Sequence, residues 1–381
     1  MVLSWPWQFF SWRNCIESWR SAVQAHQAIV VVALKQDVPL AKLLISDRPR
    51  NHALVVLSDW VALKSPSILA WLRESEIDHI VLPRDVAVSD LHRIFESESR
   101  KVMAIAESSL IDHSFSHQIQ KAARGCGHDT ATVQRGFENV GLTYKSSLNS
   151  SAESVTFASS RVSVWQPLDR LPAWVPAETR DKCFHVGPIK RRMDQREQVP
   201  PPSALRRFEK VIGVFENLHW ERYSEEFRTN FFQLVSALGA SYPNVCFVVR
   251  PHPAGQWSSV HWTGGLPGNV IIAHPNELPW AAMEVTDFLA FCSATLATPS
   301  TVAVDAVLVG CPAVVFVRDL ETDAYGFAEM VVKDTDVKEI FNRLSDVNAS
   351  AELAGLQRRR LAAYFGGASS GVYSVRQWME A

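Results

Sequence analysis

The chain has 381 residues, 47% of them hydrophobic and 20% charged, a balance that excludes a mainly disordered or collagen-like protein. Its length is that of two or three domains. Thirty-eight Lys and Arg face 40 Asp and Glu, for a formal charge of −2, so no global basic field points to nucleic acid.

Six cysteines (15, 126, 183, 246, 292 and 311) lie far apart with no CxxC pair. Several sit in apolar runs, as in NVCFVV and FLAFC, and read as buried reduced thiols of a cytoplasmic protein. Four of the 13 tryptophans fall within the first 19 residues. That segment has no basic n-region and no cleavage site, so it does not read as a signal peptide. Its charges leave no run of 18 apolar residues, here or later in the chain, so no spanning helix is expected. Trp5, Phe9, Trp12, Ile16 and Trp19 recur at helical spacing. Such a stripe either packs on a protein core or lies at lipid headgroup level, with Arg13 and Arg20 beside it. In the second case residues 1–20 make a peripheral contact at the inner face of the cytoplasmic membrane.

Short apolar runs then alternate with amphipathic segments. Residues 28–34, 53–57, 79–83, 102–106, 130–134 and 155–165 read as strands, and 65–75 and 89–99 as helices. This alternation predicts a parallel sheet covered on both faces. The stretch 188–207 combines three consecutive prolines with dense charge and reads as a linker. Its Lys190, Arg191 and Arg192 suit either a solvated face or an anion. Beyond it, strands are expected at 210–216, 244–250, 269–274, 287–292 and 312–317. Helices are expected at 224–241, 277–285, 299–310, 336–347 and 351–365. The prediction is a chain of two α/β halves: a helix at 1–24, a first Rossmann-like domain at 25–187, a linker at 188–207, a second such domain at 208–350, and closing helices at 351–381. Ligands of open parallel sheets bind beyond the C-terminal strand ends, so two such halves imply a cleft.

Candidate chemistry sits at strand ends. In FVVRPHPAG, Arg250 closes a strand and Pro251 and Pro253 stiffen the turn carrying His252. That imidazole suits a phosphate oxygen or leaving group, with Arg250 as a fixed positive charge. In CSATLATPSTVAVDAVLVG, a strand is expected to end at Cys292 and a helix to start near Pro299. Ser300 and Thr301 are then phosphate ligands at a helix N-terminus. Ser293, Thr295 and Thr298 lie on the approach loop, and Asp305 faces a ribose or pairs structurally. His274, with Asn276 and Glu277, follows a neighbouring strand and would line the same crevice.

In the first half, Gln134, Arg135, Gly136 and Asn139 form an acceptor-side loop at a strand end. Glu107, Asp112 and Glu138 are candidate bases for an acceptor hydroxyl, with His128 as another. The motifs of dinucleotide, P-loop and zincin sites are missing.

Four features together resemble the GT-B glycosyltransferases. They are RPHP at 250–253, the Ser/Thr-rich start TPSTVAVDAVLVGCPAVVF, the strand and turn NVIIAHP, and the ending YFGGASSGVYSVRQWM. The likeness is to the bacterial group of CDP-glycerol glycerophosphotransferases and capsule transferases, which use CMP- or CDP-linked donors, including those of Kdo and sialic acid. TVQRGFEN is similar to a strand–(Q/W)HG loop of that group, with Arg135 where His is usual.

The resemblance implies two Rossmann-like domains facing each other across a cleft. It also implies that His252, Ser300 and Thr301 contact the donor phosphate and that 274–277 face the cytidine. The implied reaction is a metal-independent, inverting transfer of a sugar or polyol phosphate to a surface polysaccharide or glycolipid, with no cofactor. A UDP-sugar transferase or epimerase, or a catalytically silent nucleotide- or glycan-binding scaffold, are the alternatives.

Overall fold

The computed structural model describes residues 6–46, 52–144, 155–190, 200–220, 222–252, 255–262, 265–274, 277–318, 320, 324–367 and 371–380. The chain divides into two compact units. Unit 1 comprises Met1–Tyr144, Ala152–Arg191 and Ala368–Ala381, and unit 2 comprises Lys145–Ser151 and Arg192–Gly367.

Unit 1 opens with helix α1 (Pro6–Ala25), strand β1 (Ala28–Val32), α2 (Val38–Ile45), β2 (Ala53–Ser58), α3 (Asp59–Lys64), α4 (Pro66–Glu74), β3 (His79–Leu82) and α5 (Val88–Phe95). It continues with β4 (Lys101–Ile105), α6 (Ser114–Gly125), β5 (Asp129–Val133), β6 (Arg161–Val164), α7 (Ala177–Lys182) and β7 (Cys183–His185). The strands form one parallel sheet in the order β3-β2-β1-β4-β5-β6-β7. All five residues of β1 are buried, which is why the central strand is an unbroken apolar run rather than an alternating one.

Unit 2 contains β8 (Lys210–Glu216), α8 (Glu225–Ser241), β9 (Val245–Pro251), α9 (Trp257–His261), β10 (Val270–Ile272), α10 (Val285–Phe291) and β11 (Ala294–Ala297). Then come α11 (Val302–Leu308), β12 (Ala313–Phe316), β13 (Glu329–Val331), α12 (Asp334–Ser345) and α13 (Val347–Tyr364). The sheet is again all parallel, in the order β10-β9-β8-β11-β12-β13. Helix α8 starts on Ser224, whose hydroxyl accepts from the Phe227 amide at 3.0 Å, with Glu225 and Glu226 in its first turn. Its Phe227 and Phe231 bury against Phe316. The last helix of the chain, α14 (Gly371–Glu380), belongs to unit 1. There the Arg376 guanidinium donates to the carbonyls of Leu43 and Ser46 at 2.6 and 2.8 Å.

Three expected elements differ. The apolar run at 287–292 is helix α10, not a strand. Glu284 caps it through the Asp287 carboxylate, which accepts the Glu284 amide at 3.2 Å, and Phe288, Leu289 and Ala290 turn inward. The strand is instead the short, small-residue run ATLA, buried at every position. Of 155–165 only Arg161–Val164 pairs as a strand. The helix expected at 277–285 is a single 3-10 turn, Trp280–Ala282.

The aromatic stripe is helical from Pro6 onward. Ile16 is buried and Trp19 packs on the unit 1 core, so this end of the stripe covers protein rather than lipid. Trp5 lies outside the described residues, as do 191–199 of the expected linker. No described helix is long and apolar enough to cross a membrane.

Candidate functional site

In each sheet the strand order reverses direction at one point: between β1 and β4 in unit 1, and between β8 and β11 in unit 2. Loops leaving the C-terminal ends of these strands diverge there and open a crevice.

In unit 2, β8 ends at Glu216, which is 3% exposed. Its carboxylate accepts from the Leu218 amide at 2.8 Å and from the Ser258 amide and hydroxyl at 3.1 and 2.8 Å. Burial raises its pKa, and those donors counter the shift. The carboxylate thus ties the β8 end to the start of α9. Asn217 ties it to the loop after β11. Its amide donates to Thr298 Oγ1 at 3.1 Å, and its Nδ2 donates to the Pro299 carbonyl at 2.9 Å. The Thr298 and Tyr223 hydroxyls donate to its Oδ1 at 2.6 and 2.9 Å.

His219 follows directly. Its ring stacks on His252 with centroids 4.5 Å apart and planes 28° from parallel. A Cβ at Gly255 would lie 2.1 Å from the His219 Cβ, so only glycine lets the His252 loop approach this closely. The His219 Nδ1 is buried without a hydrogen-bond partner among the described residues. Burial, and then Arg228, push this imidazole down to about 4, so at neutral pH it is an uncharged donor and acceptor.

The sequence-predicted residues fare unequally around this core. His252 is in it. Ser300 stands at the loop that Asn217 holds, its hydroxyl accepting from the Val302 amide at 3.3 Å. Thr301 leads into α11, with Asp305 half-buried one turn on. Arg250 is a strut, because its guanidinium donates to the carbonyls of Met283 and Glu284 at 2.6 and 3.4 Å and lies 5.2 Å over the Phe288 ring. Thr298 is fully buried, its hydroxyl spent on Asn217.

Ser293 is at the wrong end of its strand: it precedes β11, where its amide donates to the Val211 carbonyl at 2.7 Å. Thr295 lies within β11 and bonds the Pro312 carbonyl at 3.3 Å. These corrections follow from α10, since ending the helix at Phe291 moves the strand past Cys292. His274 and Glu277 follow β10, two strands from the crevice, and Asn276 lies outside the described residues.

In unit 1, the loop after β1 carries Asp37, fully buried, which accepts from the Leu34 amide at 3.0 Å and pairs with Arg135 at 3.1 Å. Burial pushes Asp37 up to about 6, against the pull of Arg135. Arg135 follows β5, so the pair spans the end of β4. There Ala106 adopts a left-handed φ of 54°, a strain of about 1 kcal/mol that turns the chain out of the sheet. Glu107 and Ser108 come next, both 1% exposed. Glu107 accepts from Thr132 Oγ1 at 2.6 Å and the Ala158 amide at 2.9 Å, and it pairs with His117 Nδ1. The Ser108 hydroxyl lies 2.6 Å from His113 Nδ1. Burial, then Arg135, hold His113 down to about 4.

Other first-half candidates are structural. Gln134 donates to the Gly136 carbonyl at 2.9 Å and accepts the Trp165 amide at 2.8 Å. The Asn139 amide and carbonyl close a turn with Thr143 at 2.6 and 3.0 Å. His128 is buried and bridges the Arg100 amide at 2.9 Å and the Phe95 carbonyl at 2.7 Å. Asp112 is exposed and Glu138 half-buried. Glu107 keeps no solvent-facing oxygen with which to meet a substrate directly.

Five residues of these edges were not singled out from sequence: Asp37, His113, His117, Glu216 and His219. The signal for His117 was present, because Phe115, Ile119, Ala122 and Ala123 have helical spacing and place it in a first turn.

No family model matches the sequence, and no curated protein matches it. Solved structures do share its fold. The UDP-GlcNAc 2-epimerase of Neisseria meningitidis, solved with UDP-GlcNAc, is 12% identical with a TM-score of 0.57, over 93% of this chain and 100% of that one. The wall teichoic acid polymerase TagF is 11% identical with a TM-score of 0.55, over 95% of this chain and 89% of that one. The S. aureus MnaA structure with UDP is 12% identical with a TM-score of 0.57, over 91% of this chain and 92% of that one. The fold is GT-B. At such identities the likeness extends to the fold alone.

Proposed function

We propose that this chain is a GT-B transferase that takes a nucleotide-activated donor, of CMP or CDP type, at the β8/β11 crevice of unit 2. It would move a sugar or polyol phosphate to a hydroxyl of a polysaccharide or glycolipid acceptor. The observation that carries this reading is the stacked His219–His252 pair, in which His219 Nδ1 has no hydrogen-bond partner among the described residues, beside the Ser300 loop.

The His219 and His252 rings, stacked beside a buried carboxylate scaffold, are preorganised donors. Such donors favour the charge that develops on a departing nucleotide phosphate, because they need no reorganisation when it forms. The Ser300 hydroxyl, which accepts from the Val302 amide, keeps its own proton as a further neutral donor. Arg250 is held by the Met283 and Glu284 carbonyls, so in this reading the neutral donors carry the phosphate contact. The choice of CMP or CDP rests on the resemblance of RPHP and the segment after Pro299 to that group. Proteins sharing the fold were solved with UDP-GlcNAc, with UDP and after a CDPG soak, which supports a nucleotide ligand here.

The test is calorimetry with CMP, CDP and UDP, followed by nucleotide release from CDP-glycerol, CMP-Kdo and UDP-sugars. Binding of CMP or CDP that His252→Ala weakens about tenfold, the loss of one charged hydrogen bond, is the expected result. Preference for UDP would move the reading to a UDP-sugar enzyme. Binding without release in the presence of acceptor extracts would favour a silent scaffold, and no nucleotide binding at all would overturn the proposal.

A further inference from the structure

Glu107 and His117 have a use that the donor site does not absorb. Glu107 is fully buried, yet it sits among three donors that fix its orientation. One of them, His117 Nδ1, belongs to a ring that is 12% exposed. With Nδ1 carrying its proton towards the carboxylate, Nε2 is left as the acceptor. That ring edges an open surface depression of about 530 Å³, a volume within the range of about 300–1,000 Å³ of small-molecule sites.

His117, Lys121 and Arg124 line this cavity from one face of α6, a turn apart. Glu178 and Lys182 of α7 line it opposite, joined to each other at 2.8 Å. That pair cancels, so the residual charge of the cavity comes from Lys121 and Arg124. Lys121 is exposed. Arg124 donates through Nη1 to the Ala158 carbonyl at 3.3 Å, which orients the guanidinium and leaves Nη2 for a ligand.

We propose that this cavity binds a saccharide bearing a phosphate or carboxylate. Lys121 and Arg124 meet the anion, and His117 Nε2, aligned by Glu107, accepts from a sugar hydroxyl. A simple anion would leave the His117 acceptor unused, and a neutral sugar would leave the two cations without a partner. Both requirements are met by one polyhydroxylated anion. The inference deepens the transferase reading, on which it rests for making unit 1 the acceptor side.

The experiment uses the full-length chain, with the His117 ring resonance identified by its loss in His117→Gln. Glucose 6-phosphate and glucuronate are titrated as the two anionic sugars, with inorganic phosphate and glucose as controls. One of the anionic sugars is expected to shift the His117 resonance and to bind at least tenfold more tightly than either control. Lys121→Ala, on an exposed side chain that leaves the fold intact, should weaken it about fivefold to tenfold. Which of the two sugars binds distinguishes phosphate from carboxylate.

Equal binding of inorganic phosphate and the sugars, or an unmoved His117 resonance, would overturn the proposal. CMP and CDP are titrated in the same samples. Nucleotide binding with no sugar effect removes only this inference, whereas loss of nucleotide binding alone removes the transferase reading.

Discussion

The two sheets solve the same topological problem with different chemistry. Each reverses its strand order once, and each gathers polar side chains at the reversal. At the β1/β4 edge of unit 1 the polar groups are spent on one another: Asp37 on Arg135, Glu107 on His117, Ser108 on His113. At the β8/β11 edge of unit 2 Glu216 and Asn217 are spent on backbone groups and hydroxyls, and the His219 and His252 rings above them stack on each other. A carboxylate that holds amides builds a rigid floor and leaves neighbouring side chains for a ligand. A carboxylate that holds a cation or a ring instead fixes that partner's direction. The first arrangement suits neutral donors aimed at a phosphate, and the second suits a ring aimed into a cavity.

The contrast breaks most readily at Glu216. Replacing it with Ala leaves the Leu218 and Ser258 amides buried without an acceptor, at a cost of about 3 kcal/mol. Urea unfolding should show that loss, together with weakened CMP or CDP binding as His219 drifts from His252. A loss under about 1 kcal/mol would mean that the floor is not held by this carboxylate.

Ser108→Ala is the milder counterpart in unit 1. It removes one hydrogen bond to His113, worth about 1 kcal/mol, and leaves nucleotide affinity unchanged. A large effect on affinity would show that the two edges are not chemically separate.

A third effect is on the pH dependence of stability. His113 and His219 are each held down to about 4 from 6.5. Their contribution is whole above 6.5 and is lost as pH falls towards 4, because the unfolded chain takes up protons first. Asp37 is held up to about 6 from 3.8, so its contribution is whole below 3.8 and is lost as pH rises through 6. Within unit 1 these slopes oppose each other. Asp37→Asn should therefore steepen the fall in stability between pH 6 and 4, and His219→Gln should flatten it. Urea midpoints measured at pH 7, 6, 5 and 4 would show both, and parallel profiles for the two variants would contradict the opposed signs.

Much of this architecture is legible in the chain itself. Apolar runs such as AIVVV can only be central parallel strands when amphipathic segments separate them, and RPHP marks a strand end without any tertiary information. The misread segments were those whose local pattern serves two states. DFLAFC is apolar enough for a strand, but a cap at Glu284 makes it helical. ATLA has Thr295 as its single β-branched residue and is nonetheless a buried strand. Arg250 illustrates another gap: its charge invited a phosphate, while its guanidinium was already engaged by the Met283 and Glu284 carbonyls, 33 and 34 residues away.

Composition, periodicity and strand-end motifs, all short-range properties, determined that this is a two-part α/β protein with His252 on a strand-terminal turn. Only the tertiary structure decided which polar groups remain for a ligand, since their partners are distant in the chain. Asp37 and Arg135 are 98 residues apart, and Asn217 and Thr298 are 81 apart. A side chain's chemistry at a sheet edge depends on what already holds it, and that partner is chosen by strand order. Periodicity reveals that strands exist. Their order comes from the packing of whole faces, and with it the pairing of His219 on His252.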